Sequence, residues 1–121
     1  MAALQAIELK AFVPARDFDL SLRFYQEVGF TASSAGEGVA YLKLQGCAFL
    51  LQDFYDPGLA DNLMLHLLVP DVDAWHQHMA RDTLQRYYGV RVGSLTQQPW
   101  GMIDFVFWDP SGVLWRVGQA L

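Results

Sequence analysis

Few residues of this chain have types suited to bond-making chemistry, and their spacing works against it. The three histidines do not gather. His76 and His78 are two apart on a predicted helix and so project to different sides. His66 alternates with Met64 along an apolar run and stands alone on its strand face. A single histidine in such a strand is more often a core or pocket-lining residue than a metal ligand. Cys47 is the one cysteine, so it forms neither an intrachain disulfide nor a cysteine zinc site. It reads as a small packed residue. Ser21 falls within a predicted helix with no base in view. Gly36-Glu37-Gly38 lies between predicted strands and opens no helix, so it is no phosphate loop. What stands out instead is aromatic surface: 14% of residues, with four Trp and eight Phe, which is rich for so small a core. Trp100, between Pro99 and Gly101, sits where a ring can project from a strand junction.

The elements that position these groups come from 121 residues, a length that predicts one domain over 1–121. Hydrophobic residues at 53% and charged residues at 17% exclude a disordered chain. Thirteen acidic against eight basic residues give a net charge of −5. Nucleic acid and anionic membranes are therefore not expected partners, because both select a basic surface. No apolar run reaches the roughly 18 residues of a membrane helix. The start, Met1 to Glu8, lacks the basic and apolar stretches of a signal peptide. With one cysteine, the expected location is the cytoplasm.

Residues 4–13 read as a strand. Asp17 is placed to cap a helix over 17–28, with Phe18, Leu22 and Tyr25 at helical spacing and Gly29 closing it. Strands are predicted at 30–35, 38–45 and 47–53. Asp56-Pro57-Gly58 is a turn. A strand over 62–69 follows, then a helix capped by Asp71 or Asp73 and running to about Arg81. Strands at 89–98, 101–108 and 113–119 complete the chain, the last two joined by the hairpin turn Asp109-Pro110-Ser111-Gly112. Trp75 and Trp108 read as packing between helix and sheet. Phe105 and Phe107 share one face of their strand.

The order is β-α-β-β-β twice. Val13-Pro14-Ala15-Arg16-Asp17 recurs as Val69-Pro70-Asp71-Val72-Asp73. In both, Pro ends a strand because it has no N–H, and Asp meets the free amides of a helix. An echo this short also arises from a common strand–turn–helix design. The matching element order on both sides favours an internal duplication, with module one over about 4–53 and module two over about 62–119.

This order, together with Ser21-Leu22-Arg23-Phe24-Tyr25, Gly29-Phe30 and Asp109-Pro110-Ser111-Gly112, resembles the vicinal-oxygen-chelate superfamily. That superfamily includes glyoxalase I, extradiol dioxygenases and antibiotic-binding proteins. The resemblance covers essentially the whole chain. It implies an α+β fold in which two βαβββ modules form paired open β-barrels, and a homodimer whose clefts both chains complete. Gln98-Pro99-Trp100-Gly101, Ala15-Arg16-Asp17 and Asp61-Asn62-Leu63 are similar to stretches of the bleomycin-resistance proteins. Those proteins bind a drug without chemistry, stacking an aromatic ring on its flat end.

The superfamily's enzymes hold a divalent ion at four corners, one in the first and one in the last strand of each module. By that resemblance the corners fall here on Lys10, near Leu51, on Met64 and on Arg116. Two cations, an alkyl group and a thioether are unsuited to a hard or borderline dication. Sliding the first strand by two offers Glu8 and sliding the fifth offers His66, but two more ligands are still missing. No metal, cofactor or catalytic residue is therefore expected. Lys10 and Arg116 either converge on an anionic or carbonyl-bearing ligand or are neutralised internally, for example by Glu8, Asp53 or Asp104, or Lys10 extends its ammonium to solvent.

The resemblance makes Trp100 the stacking ring, worth about 1–3 kcal/mol. The opposing ring falls near Val39, with Tyr41 on the same strand face as its substitute. Phe49, Leu51, Met64, His66 and Leu68 are expected along the cavity floor, and Lys10, His66 and Arg116 as polar anchors. The implied function is sequestration of a small, flat, partly apolar molecule. The rivals are a metal-dependent lyase, isomerase or ring-cleaving dioxygenase, and an accessory subunit whose cleft serves another protein.

Overall fold

The computed structural model describes residues 3–121. Met1 and Ala2, where the expectation about a leader begins, lie outside the described residues. No helix among the described residues is long and apolar enough to cross a membrane.

The chain runs β1 (Phe12–Pro14), α1 (Phe18–Val28), β2 (Thr31–Gly36), β3 (Val39–Leu44), β4 (Cys47–Gln52), α2 (Pro57–Ala60) and β5 (Met64–Leu68). It continues with α3 (Val72–Met79), α4 (Asp82–Tyr88), β6 (Thr96–Gln98), β7 (Met102–Trp108) and β8 (Leu114–Ala120). Two four-stranded sheets result, ordered β1-β4-β3-β2 and β5-β8-β7-β6. In each, the first strand lies parallel to the last and the others are antiparallel. This is one topology used twice in an α+β chain, with both sheets left open.

Local chemistry explains the helix ends. The Asp17 carboxylate accepts from the Leu20 N–H at 3.1 Å, and Asp71 accepts from the Ala74 N–H at 3.0 Å, so Asp71 rather than Asp73 is the second cap. Gly29, at φ 134°, stops α1 where a side chain would be strained. The buried face of α1 is Ser21, Phe24, Tyr25 and Val28. Phe18 and Leu22 pack only at its margin.

Five expectations need correction, the first being that Cys47, expected to pack, is exposed at the start of β4. The strand expected over 4–13 shrinks to Phe12–Pro14, and Leu4, Ile7 and Leu9 stand fully exposed. The turn at Asp56 is a short helix, capped by the Asp56 side chain on the Gly58 N–H at 2.9 Å. Residues 82–88 form an unanticipated helix that ends at Gly89, whose φ of 67° is left-handed. The strand expected over 89–98 is consequently reduced to Thr96–Gln98 and one bridge between Val92 and Phe107.

The core lies where α1 and α3 meet the inner faces of the two sheets. Tyr25, Phe30, Phe49 and Trp115 pack edge to face or tilted, with centroids 4.9–6.0 Å apart. Phe107 stacks on Trp115 at 5.8 Å, and His76 of α3 meets Phe105 at 4.9 Å. The face shared by Phe105 and Phe107 is thus the core face.

A polar seam ties the halves together. The buried Tyr25 hydroxyl donates to Asp109 Oδ2 at 2.5 Å and accepts from Trp115 Nε1 at 2.9 Å. Asp109 Oδ1 accepts the Ser111 and Val113 N–H groups at 2.8 and 2.9 Å. Burial pushes the Asp109 carboxyl up, and these hydrogen bonds oppose that rise. Burial first, and then the Asp109 charge, push the Tyr25 phenol well up. Ser21 is also buried in this seam, 3.4 Å from the Ser111 hydroxyl, with no base beside it.

Candidate functional site

Side chains alternate across a strand, so register decides which groups share the face turned away from the core. On the first sheet, Tyr41 lies opposite Leu50, and Leu50 opposite Phe12. On the second, Met64, His66 and Leu68 pair with Leu114, Arg116 and Gly118. Arg116 in turn pairs with Val106, and Gly118 with Asp104. These two open faces carry most of the residues named from the sequence.

On the first open face the N-terminal segment crosses Tyr41. The phenol donates to Glu8 Oε2 at 2.7 Å, Lys10 Nζ lies 2.7 Å from Glu8 Oε1, and Lys10 sits 5.8 Å from the ring centroid. The bonds from Lys10 and then Tyr41 hold the Glu8 carboxyl below its ordinary range. The bond to Glu8 raises the Tyr41 phenol. Lys10 is thus neutralised by Glu8. Val39 is half-buried and borders a cavity of about 330 Å³ between α1 and the β2–β3 edge.

On the second open face Arg116 Nη1 donates to Asp104 Oδ2 at 2.8 Å, and Gln98 Nε2 donates to Asp104 Oδ1 at 3.0 Å. The Asp104 side chain is 2% exposed. Both of its oxygens are engaged, and Arg116 is neutralised in place. Of the three acids named from the sequence as internal partners, Glu8 and Asp104 take that role. The His66 ring lies across β8 because residue 118 is glycine. A Cβ there would meet His66 Nε2 at 3.2 Å.

Met64 is exposed on its strand. Phe49 belongs to the core cluster and, with His66 and Trp115, borders a cavity of about 120 Å³. Leu51 is wholly buried. Trp100 occupies the β6–β7 turn, closed by the Gly101 N–H on the Gln98 carbonyl at 3.2 Å, with Gly101 at φ 83°. Its ring is 61% exposed and touches no other aromatic ring among the described residues. Tyr41 and Trp100 are not in aromatic contact within this chain. Trp108 is half-buried, and Arg91 lies over its ring at 4.3 Å.

A family model described as the Glyoxalase/Bleomycin resistance protein/Dioxygenase superfamily matches residues 7–117. The chain belongs to that superfamily. Solved structures agree over nearly the whole chain. A bleomycin resistance determinant encoded on the transposon Tn5 is 24% identical with a TM-score of 0.78, covering 95% of this chain and 98% of that one. A bleomycin-binding protein complexed with bleomycin is 22% identical, TM-score 0.76, covering 96% and 100%. TnmS3, an antibiotic binding protein from Streptomyces sp. CB03234, is 26% identical, TM-score 0.74, covering 98% and 100%. No curated protein sequence matches the chain.

At the four corner positions, where metal-dependent members of the superfamily hold their ion, this chain carries unsuitable groups. Lys10 and Arg116 are already ion-paired, Leu51 is in the core, and Met64 offers only a soft sulfur. Among the described residues no three His, Cys, Asp or Glu side chains gather to hold an ion. The residues present do not fit a divalent metal.

The sequence reading missed three contributors. Gln98, which the sequence marks only as part of a motif, holds Asp104. Gly118 makes room for His66. Glu8 binds Tyr41 as well as Lys10. The alternation of β7 and β8 placed Asp104 near Arg116, but the register that brings Gln98 to Asp104 depends on a turn whose length sequence patterning does not fix.

Proposed function

We propose that this protein binds and sequesters a small, flat, partly apolar molecule without transforming it, in a cleft completed by a second copy of the chain. The observation that carries this reading is Trp100: a large ring held out on a tight turn, 61% exposed, with no aromatic neighbour. An exposed indole offers a large flat face for a planar ligand, with only two side-chain torsions to order on binding. The open faces of the two sheets are apolar at Phe12, Met64 and Leu68, each more than half exposed. With Leu4, Ile7 and Leu9 they are surface that one chain leaves wet. Pairing two copies would cover that surface and bring the Tyr41 face of one protomer toward the Trp100 face of the other. The antibiotic-binding proteins of similar structure support the ligand class. The neutralised Lys10 and Arg116 remove the case for a strongly anionic ligand.

The test is a thermal-shift screen of planar natural products and divalent metals, followed by tryptophan fluorescence quenching. A planar compound is expected to raise the unfolding midpoint and quench emission, and Trp100→Ala to weaken binding about tenfold or more. Unchanged binding in that variant refutes the stacking role. Stoichiometric metal in the purified protein would favour the lyase, isomerase or dioxygenase reading. Sedimentation that finds only monomer refutes the shared cleft.

A further inference from the structure

Four of the six arginines spend donors on the protein itself. Arg23 and Arg81 donate to backbone carbonyls, and Arg86 and Arg116 to carboxylates. Among the described residues, Arg16 and Arg91 do neither: no side-chain hydrogen bond and no ion pair within 4.0 Å engages them. Both nevertheless line one cleft of about 260 Å³, beside the turn Asp109-Pro110-Ser111-Gly112. Each also lies over an aromatic ring, Arg16 at 5.7 Å from the Tyr55 centroid and Arg91 at 4.3 Å from that of Trp108. No other arginine among the described residues does so.

Cation–π attraction to a ring face uses none of the hydrogen-bond donors of a guanidinium, so its N–H groups stay available to a ligand. It also restrains a long side chain that would otherwise lose freedom on binding. Two such groups beside one cleft are an arrangement suited to an oxyanion. In a chain of net charge −5, two arginines that make no ion pair within 4.0 Å are not explained by surface neutralisation.

Two acids line the same cleft. The Asp109 oxygens are turned inward to Tyr25, Ser111 and Val113. Asp61 is exposed, with Oδ1 3.5 Å from where a Cβ on Gly112 would stand. The formal charges of the lining thus balance, but the Asp109 oxygens are already taken up, so the groups free to face a ligand are two guanidinium groups and one rim carboxylate.

We propose that this cleft binds a small oxyanion, a carboxylate or phosphate group, between Arg16 and Arg91. The site is separate from the Trp100 face, so it stands or falls independently of the planar-ligand reading. Arg16 and Tyr55 come from the first half of the chain and Arg91 and Trp108 from the second, so occupancy also clamps the two halves.

Inorganic phosphate and malonate, each titrated at fixed ionic strength with chloride as control, separate the two sources. The readouts are the Trp108 indole N–H resonance and the unfolding midpoint. A saturable shift of that resonance and a raised midpoint are expected with at least one of the two anions. Arg16→Gln and Arg91→Gln each weaken binding about tenfold or more, because each removes charge-assisted bonds. Arg91→Lys keeps the charge but loses the planar fork, and remains several-fold weaker. Asp61→Asn binds more tightly, and Trp100→Ala binds as the parent does. Both arginines are exposed, so the variants fold; should one of the Gln variants unfold, Arg91→Lys and the other arginine variant carry the test. Absence of saturable binding by both anions, or equal binding by the parent and the arginine variants, overturns the proposal.

Discussion

On the first sheet, the charged groups of the open face come from a segment that joins no strand: Glu8 and Lys10 lie before β1 and reach back over Tyr41. On the second sheet, they come from inside the ladder, where Asp104 of β7 holds Arg116 of β8. The ion-pair distances are nearly equal, 2.7 and 2.8 Å, and the cations are almost equally exposed, 28% and 27%. The acids differ: Glu8 is 30% exposed and Asp104 only 2%. Distance alone therefore says little about what a pair is worth. A buried acid that loses its charge leaves a cation and an amide without their partner, whereas water replaces an exposed one. The seam at Asp109 extends the comparison, since among the described residues that buried acid makes no ion pair within 4.0 Å.

The largest effect is expected at that seam. Asp109→Ala leaves the Tyr25 hydroxyl and two backbone N–H groups without an acceptor, and should cost about 3–5 kcal/mol in denaturant unfolding. Its titration sharpens the point. The folded Asp109 carboxyl lies above its unfolded value because burial penalises the charge. Its contribution to stability is therefore full below the unfolded value and is lost as pH rises through the folded one. Asp109→Asn should flatten the stability profile across that acidic window; an unchanged profile would mean that other carboxyls set it.

Next comes Asp104→Asn, which strips Arg116 of its charge partner while keeping an oxygen for Gln98. Arg116 is partly solvated, so about 2 kcal/mol is expected rather than the full cost of a buried unpaired ion. An effect as small as that of an exposed pair would break the distinction between the two sheets. Smaller still is Gly118→Ala. The new methyl meets His66 Nε2 at 3.2 Å, so the imidazole must give way, at a cost of about 1 kcal/mol. A shifted His66 ring resonance with β5–β8 pairing intact is the expected spectrum.

The same contrast explains how much of this was legible in the sequence. The doubled βαβββ order was readable because Pro14 and Pro70 end strands, and Asp17 and Asp71 cap helices, through local chemistry. Helix α4 was not, because its cap position, Arg81, makes no side-chain cap bond and its seven residues are too few for a clear period. The N-terminal strand is shorter than its pattern suggests because Leu4, Ile7 and Leu9 look like strand residues, yet the pairing that makes a strand is long-range. At the candidate site, alternation put Tyr41 on an open face, but the clasp by Glu8 depends on where an unpaired segment runs. The unpartnered state of Arg16 and Arg91 required every other arginine's partner to be known.

The smallest effect on stability, and the finest test of the comparison, is Glu8→Gln. Glu8 is solvated, so the unfolding midpoint should stay close to that of the parent. The change belongs to Tyr41. Its phenol is raised first by the hydrogen bond it donates to the Glu8 carboxylate, because ionising it would forfeit that bond and place two negative charges together. A neutral amide removes the second charge and weakens the bond. An ultraviolet difference titration should therefore show one tyrosine returning toward the ordinary range, with the others fixed. With Glu8 neutral, Lys10 loses its carboxylate partner and the first open face gains positive charge. Any planar ligand that stacks on Tyr41 should then lose affinity if it is cationic and gain it if it bears a negative group. Asp104→Asn offers the matched perturbation on the second face. If both substitutions moved the Tyr41 titration alike, the two faces would not be electrostatically separate, and the contrast between arm and ladder would have to be abandoned.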